Sequence, residues 1–283
     1  MKRGILVGLQ TDDSILEMIR IMNDTYKKDL TIYDDAFLAK SLERRMTGIA
    51  VSSSDYPSYL QNNRHEADCL MASFQITYSQ FFRNSLTFAV LEQLVLPHLL
   101  SHKPENGEIR VWSAGCSTGQ EAYSIGILLE ELRQASSKAM RYRIFATDLS
   151  PEALGTARNG IYDEDSIANI RMKYLKSHFI KQEEAYAVAP GLKQKIDFSE
   201  YDLLDSHSSN PPDSIFGDFD IIFCCNLLFY YRPDVRRSIV RKLKRSLAAG
   251  GYLITGEAEA IFMAKDEDLK TLSASVPIFQ TNL

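Results

Sequence analysis

Positive charge is the first thing this sequence is short of. Lys and Arg total 32 against 37 Asp and Glu, a formal net charge of −5. A general nucleic-acid binder normally presents a basic face, so no nucleic-acid partner is expected. Long apolar runs are missing as well. The longest, Ile221 to Tyr231, falls far below the ~20 residues that span a bilayer, so direct membrane insertion is not expected. The run after Met1-Lys2-Arg3 soon meets Thr11-Asp12-Asp13, too early for a signal peptide. Cysteine is sparse, at four residues, and their spacing forms no metal pattern: Cys69 and Cys116 stand alone, while Cys224 and Cys225 adjoin. Neighbours on a strand point to opposite faces and seldom pair, so reduced thiols in a cytoplasmic protein are expected. The five histidines are scattered, and no Ser/His/Asp or paired-acid constellation occurs.

What is present begins with Ile109 to Glu130. A short β run, Ile109 to Trp112, breaks into small residues and resumes at Gln120 with helical spacing (Tyr123, Ile127, Leu128). This strand, tight turn and helix form the nucleotide-cradling opening of an α/β sheet. Gly115 and Gly119 have no Cβ and would let the backbone approach a bulky ligand, or would simply make a tight turn. The turn has neither the G-x-G-x-x-G spacing nor a P-loop ending. Asp148 ends the next apolar strand, where a ribose diol finds its acceptor. Ser150-Pro151-Glu152 supplies its own helix start, leaving Asp148 open for that role.

The residues Val111-Trp-Ser-Ala-Gly-Cys-Ser-Thr-Gly-Gln-Glu-Ala-Tyr-Ser-Ile125 resemble the motif of the CheR chemotaxis receptor methyltransferases. Three further matches follow the family's order: Gln80-Phe-Phe-Arg83; Phe145-Ala-Thr-Asp148 with Ala157-Arg-Asn-Gly-Ile-Tyr162; and Phe219-Asp-Ile-Ile-Phe-Cys-Cys-Asn226 with Tyr230. The resemblance covers roughly residue 12 onward. It implies an α/β fold, the Rossmann-like Class I methyltransferase sheet, with a small all-helical N-terminal domain. It also implies S-adenosylmethionine as cofactor and S-adenosylhomocysteine as product.

Taken in order, residues 1–75 read as a helical domain. A first helix runs from the capping run at Thr11 to Ser14 as far as Tyr26, followed by helices over Ala36 to Thr47, Ser54 to Gln61 and the sixties to Ser73. Residues 76–108 form a linker helix interrupted by Pro97, and 109–283 the cofactor-binding domain. Strands are expected at 109–113, 142–147, 196–199, 219–224 and 251–255, with helices at 120–134, 151–159 and 233–247 between them. That alternation implies a parallel sheet with helices on both faces. Tyr252 to Thr255 and Val276 to Gln280 suggest an antiparallel ending. Within 161–200, where 166–177 looks helical, the resemblance implies a possible small β subdomain.

In the family the second helix of the helical domain faces the acidic receptor. Residues 1–70 hold nine basic and eleven acidic residues, so docking can rest only on Lys40, Arg44 and Arg45, which otherwise make a solvated face. Arg232 to Arg245 holds seven basic residues, three of them stacked at Arg237, Arg241 and Arg245. A solvated face is the first reading and an acidic docking partner the second.

The resemblance carries site roles residue by residue. Thr77 and Ser79 stand where the family has Asn and Thr, and Arg83 is kept. A guanidinium fork there can orient a carboxylate, of the acceptor or of the cofactor's methionine tail. Ala114, Gly115, Glu121, Asp148, Asp202, Leu203, Asn226 and Leu227 would complete the cofactor site, with Tyr230 near the transferred methyl. Asn226 could instead cap a helix, and Cys225 replaces the family's Arg. The implied reaction is methyl transfer to glutamates on the cytoplasmic helices of chemoreceptors, by a monomer. A cofactor-binding signalling adaptor, or a Class I methyltransferase with another acceptor, are the alternatives. Asn210-Pro-Pro-Asp213 begins like an amine-methylating motif but reads as a loop.

Overall fold

The computed structural model describes residues 13–263 and 266–282; Thr11 and Asp12 of the expected capping run lie outside them. The chain divides into two units. One comprises the described residues up to Ile76 together with Tyr230–Pro233; the other comprises Thr77–Phe229 and the described residues from Asp234 onward.

The first unit is helical: α1 (Asp13–Tyr26), α2 (Asp35–Gly48), α3 (Tyr56–Gln61) and α4 (Arg64–Ser73). Asp34 caps α2 by accepting from the Ala36 amide, and Asn63 caps α4 through the Glu66 amide. Met18, Met22, Leu42, Tyr56, Leu60 and Leu70 form the core, each fully buried because the apolar residues recur at three- and four-residue intervals. The segment Tyr230–Pro233 joins this unit by main-chain bonds: the Asp34 amide donates to the Tyr230 carbonyl at 2.8 Å, and the Arg232 amide to that of Ile32 at 3.0 Å.

The second unit begins with α5 (Ser85–Val90), a π-helical turn Leu91–Val95, and α6 (Leu96–His102). Pro97 therefore does not end the helix. It has no N–H to give, and the π turn just before it changes the bonding pattern so that the helix continues. The strands and helices then alternate: β1 (Glu108–Ala114), α7 (Gln120–Ala135), β2 (Arg141–Asp148), α8 (Pro151–Asn159), β3 (Ile161–Asp163), α9 (Glu164–Ile167), α10 (Met172–His178), β4 (Phe179–Gln182), β5 (Ala185–Val188), α11 (Pro190–Lys193), β6 (Ile196–Glu200), β7 (Phe219–Cys224), α12 (Pro233–Ser246), β8 (Leu247–Thr255), α13 (Ala260–Met263), β9 (Leu269–Ser273) and β10 (Val276–Thr281).

The main sheet has seven strands in the order β6-β2-β1-β7-β8-β10-β9. The first five run parallel, and β10 pairs antiparallel to β8 with Ile278 opposite Ile254. This is the Rossmann-like Class I methyltransferase arrangement. The order reverses beside β1, so the carboxyl ends of β1, β2 and β7 surround the switch point where α/β sheets take their ligands. The strand expected at 251–255 starts earlier, at Leu247, through an irregularity opposite Phe219. Gly251 permits it, since a Cβ there would lie 2.9 Å from the Phe219 carbonyl oxygen. Strand β9 buries only Leu269 and exposes its other four residues, Leu272 among them, which hid it from a hydrophobic pattern. The stretch read as one helix over 166–177 splits into α9 and α10, the first capped by Asp163. Strands β3, β5 and β4 form a separate antiparallel sheet.

Candidate functional site

The carboxyl end of β1 turns through Gly115, whose φ of +82° is open to glycine at little cost. A Cβ there would sit 3.2 Å from a Leu227 methyl, so two expected cofactor neighbours, Gly115 and Leu227, are packed together. Gly119 is different. Its φ is +94°, but an added Cβ would meet Ala157 Cβ at 2.9 Å. The space it leaves is filled by α8, which corrects the expectation that it opens the turn to a ligand.

Asp148 ends β2 and is partly exposed. One carboxylate oxygen accepts from the Ser117 amide at 2.8 Å and the other from the Ser150 amide at 2.9 Å, while Ser150 itself caps α8. Asp148 thus secures the turn. Two of a carboxylate's roughly four acceptor positions stay open to a diol. The same turn is tied to the entry segment, because Ser117 Oγ donates to the Thr77 carbonyl at 2.7 Å. That bond uses the main chain of Thr77, whose side chain is exposed, so it does not depend on the side chain at this position.

Glu121 lies on the first turn of α7. The hydroxyl of the fully buried Ser113 on β1 donates to it at 2.7 Å. Burial pushes its carboxyl up to about 7, although Ser113, Cys225 and the nearby Arg83 all favour the charged form. The Arg83 guanidinium lies 5.6 Å from the centre of the exposed Tyr78 ring. Ser79 is partly exposed on the same segment. Ala114, the last residue of β1, is fully buried.

After β7 the chain makes a turn in which Asn226 takes φ +59°. Asparagine is among the few residues that adopt this region readily, and Asn226 caps no helix: a short 3-10 turn, Leu228–Tyr230, follows. The amides of Asn226, Leu227 and Leu228 all donate to Glu259. Neither Ser113 nor Glu259 was picked out from the sequence. An acid three residues after Gly256, at the end of a sheet strand, was the available signal for the second. Asp202 is exposed and accepts from the Leu204 amide at 2.8 Å, while Leu203 beside it is buried. Tyr230 belongs to the helical unit, where its ring packs on Phe37 with centroids 4.6 Å apart.

The basic residues separate into two kinds. Arg45 forms a fork on Glu66, at 2.7 and 2.6 Å, so it is not free to dock a partner. Lys40 is exposed, and the exposed Arg44 donates to the Ser73 carbonyl. On α12, Lys244 pairs with Asp266 and Asp268, Arg236 stacks on Phe262 at 3.6 Å, and Arg237, Arg241 and Arg245 face solvent. Asn210-Pro-Pro-Asp213 lies in the loop between β6 and β7. Among the described residues no helix is long and apolar enough to cross a membrane.

These residues fit S-adenosylmethionine. A glycine turn bare of Cβ, an acid with open acceptor positions at the end of β2, and a second acid that a cation would stabilise all stand at the carboxyl edge of the sheet. Comparison with known proteins agrees. Residues 77–277 match the family described as "CheR methyltransferase, SAM binding domain". The chain is similar to a "Chemotaxis protein methyltransferase" of Borreliella burgdorferi, 30% identical over 89% of this chain and 89% of that protein. It is equally similar to one of Listeria innocua, 30% identical over 91% and 94%. It also matches an uncharacterized 104.1 kDa protein of Rhodobacter capsulatus, 30% identical over 98% of this chain but only 28% of that protein's length. The chain belongs to the CheR methyltransferase family, whose cofactor is S-adenosylmethionine.

Proposed function

We propose that this chain methylates glutamate side chains of chemoreceptors, forming methyl esters in a cytoplasmic signalling pathway. The observation that carries this reading is the match of residues 77–277 to the CheR cofactor-binding domain, with relatives of similar length that are named for chemotaxis. S-adenosylmethionine, when bound, supplies an electrophilic sulfonium methyl. A glutamate acceptor is already ionised at neutral pH and needs no base, so the protein's work is alignment and exclusion of water. Arg83 is suited to orient a carboxylate: it is partly exposed, and the Tyr78 ring limits its freedom. Glu121, when ionised, would hold the cofactor's ammonium, and Asp148 its ribose hydroxyls. Gly115, Ala114, Asn226 and Leu227 would form the wall, with Asp202 and Leu203 beside the base. Thr77 and Ser79 would complete the cofactor site. The exposed Lys40 and Arg44 are the docking cations left once Arg45 is assigned to Glu66.

The test is transfer of labelled methyl from S-adenosylmethionine to receptor-containing membranes, followed by mild alkali. Receptor-sized bands that lose their label as methanol support a carboxyl ester. Base-stable label would indicate another acceptor. No label, with S-adenosylhomocysteine still bound, would favour a cofactor-binding adaptor.

A further inference from the structure

Glu259 is fully buried, yet its carboxylate accepts four main-chain hydrogen bonds. One oxygen takes the amides of Leu227 at 2.8 Å and Leu228 at 2.6 Å; the other takes those of Asn226 at 2.8 Å and Gly256 at 2.7 Å. Three consecutive amides of the turn after β7 therefore converge on one side chain from the 3-10 turn, Glu257–Glu259, that follows β8. Such convergence needs amides pointing the same way, and the left-handed Asn226 provides the bend. Gly256 is required by the same geometry. A Cβ there would lie 2.8 Å from Asn226 Nδ2 and 2.9 Å from a Glu259 oxygen. A buried acid is expensive unless it is hydrogen-bonded to this degree, and its placement calls for a reason beyond packing.

We propose that Glu259 is a positioning residue for the cofactor site: its carboxylate fixes the main chain of Asn226, Leu227 and Leu228, and through it the side chains of Asn226 and Leu227 that face the cofactor. Leu227 already meets Gly115 across the turn, so a shift of this loop would move the cofactor wall on both β1 and β7. The inference rests on the proposed contact of Asn226 and Leu227 with the cofactor.

Glu259→Gln separates positioning from simple support. The amide keeps the shape of the side chain, but it places an NH₂ against two of the four N–H donors, which releases half the clamp. S-adenosylhomocysteine affinity, measured by calorimetry on the folded fraction of the full chain, should weaken by about tenfold or more, the value of one lost bond to a charged group. The KM for receptor should stay within about twofold, since the change is confined to cofactor binding. Glu259→Asp, which keeps the charge, should recover part of the affinity. Asn226→Ala should weaken binding too, and adding Glu259→Gln to it should cost less than in the parent chain. A lower melting temperature with unchanged cofactor affinity in Glu259→Gln would overturn the inference and leave Glu259 as a structural residue. Unchanged affinity in both Asn226→Ala and Leu227→Ala would instead overturn the placement of the cofactor on which it rests.

Discussion

Ser113 Oγ donates a 2.7 Å hydrogen bond to Glu121, and this is not enough to keep the Glu121 carboxyl in its ordinary range; burial raises it to about 7. The folded chain thus holds a proton between pH ~4.5 and ~7 that the unfolded chain has released. The stability this group contributes is complete below about pH 4.5 and is lost as pH rises through about 7. Glu121→Gln should remove that component, so its melting temperature in the absence of cofactor should fall less between pH 5 and 8 than the parent's. Cofactor affinity should move the other way in the parent, rising through pH 7 as the carboxylate becomes available to the ammonium. In Glu121→Gln it should be weak and flat with pH. Calorimetry across pH 5.5–8.5 checks both statements, and a pH-independent parent affinity would refute the ammonium role.

Arg45 and Glu66 make the opposite case. Burial alone would raise the Glu66 carboxyl, but the Arg45 fork and the Tyr56 hydroxyl at 2.7 Å more than reverse it, and it ends below its ordinary value. Its stabilisation is present above the unfolded value near 4.5 and disappears as pH falls through the lower folded value. Arg45→Ala leaves a carboxylate that is only 2% exposed without its cation. The expected loss is about 3 kcal/mol, the low end for stranding a buried charge, because the Arg45 side chain is itself partly exposed. Lys40→Ala should leave stability unchanged and should lower receptor affinity in a salt-dependent way if Lys40 docks an acidic partner. Urea denaturation and receptor binding in low and high salt separate the two.

The sheet and its site edge were legible because they depend on local signals. The apolar strands with their intervening helices required a parallel sheet, and Asp148 was placed at the end of its strand, where it secures the turn after β1. What was hidden depends on partners distant in sequence. Arg45 looked like a docking cation because Glu66, 21 positions on, gives no sign in the sequence that it is buried. Gly119 looked like a ligand-facing glycine because Ala157 fills its space from another helix. Glu259 binds amides 31 to 33 residues earlier, and amides leave no trace in a side-chain pattern. Periodicity reports which face of an element is buried; it does not report what that face meets.

Arg83 should not be replaceable by lysine. If it orients a carboxylate through two parallel N–H bonds, a point charge on a flexible stem restores attraction without alignment. Arg83→Ala should lower kcat/KM for methyl transfer by about a hundredfold and Arg83→Lys by about tenfold or more, in keeping with the loss of one or two charge-assisted bonds. The split between constants assigns the carboxylate. A raised KM for S-adenosylmethionine points to the methionine tail, and a raised KM for receptor points to the glutamate. Full activity in Arg83→Lys would reduce the residue to a source of positive potential.

Two glycines near the site predict opposite responses to the same substitution. Gly119→Ala places a Cβ 2.9 Å from Ala157 Cβ and 3.1 Å from the Tyr162 hydroxyl, on a backbone held at φ +94°. Strain and overpacking act together there, and the expected cost is about 2–4 kcal/mol. Gly155 lies inside α8 with nothing within 4 Å of an added Cβ and no left-handed backbone, so Gly155→Ala should stabilise by about 0.5–1 kcal/mol through helix propensity alone. The pair is informative because α8 holds both Gly155 and Ala157. Combining Gly119→Ala with Ala157→Gly removes the Cβ that the new alanine strikes, and should recover the packing part of the loss while leaving the backbone strain and adding about 1 kcal/mol for a second helical glycine. Thermal denaturation of the three variants and the double variant reads out each contribution. A Gly119→Ala chain as stable as its parent would mean that the turn relaxes away from α8, and cofactor affinity should then fall because Ser117 and Asp148 move with it.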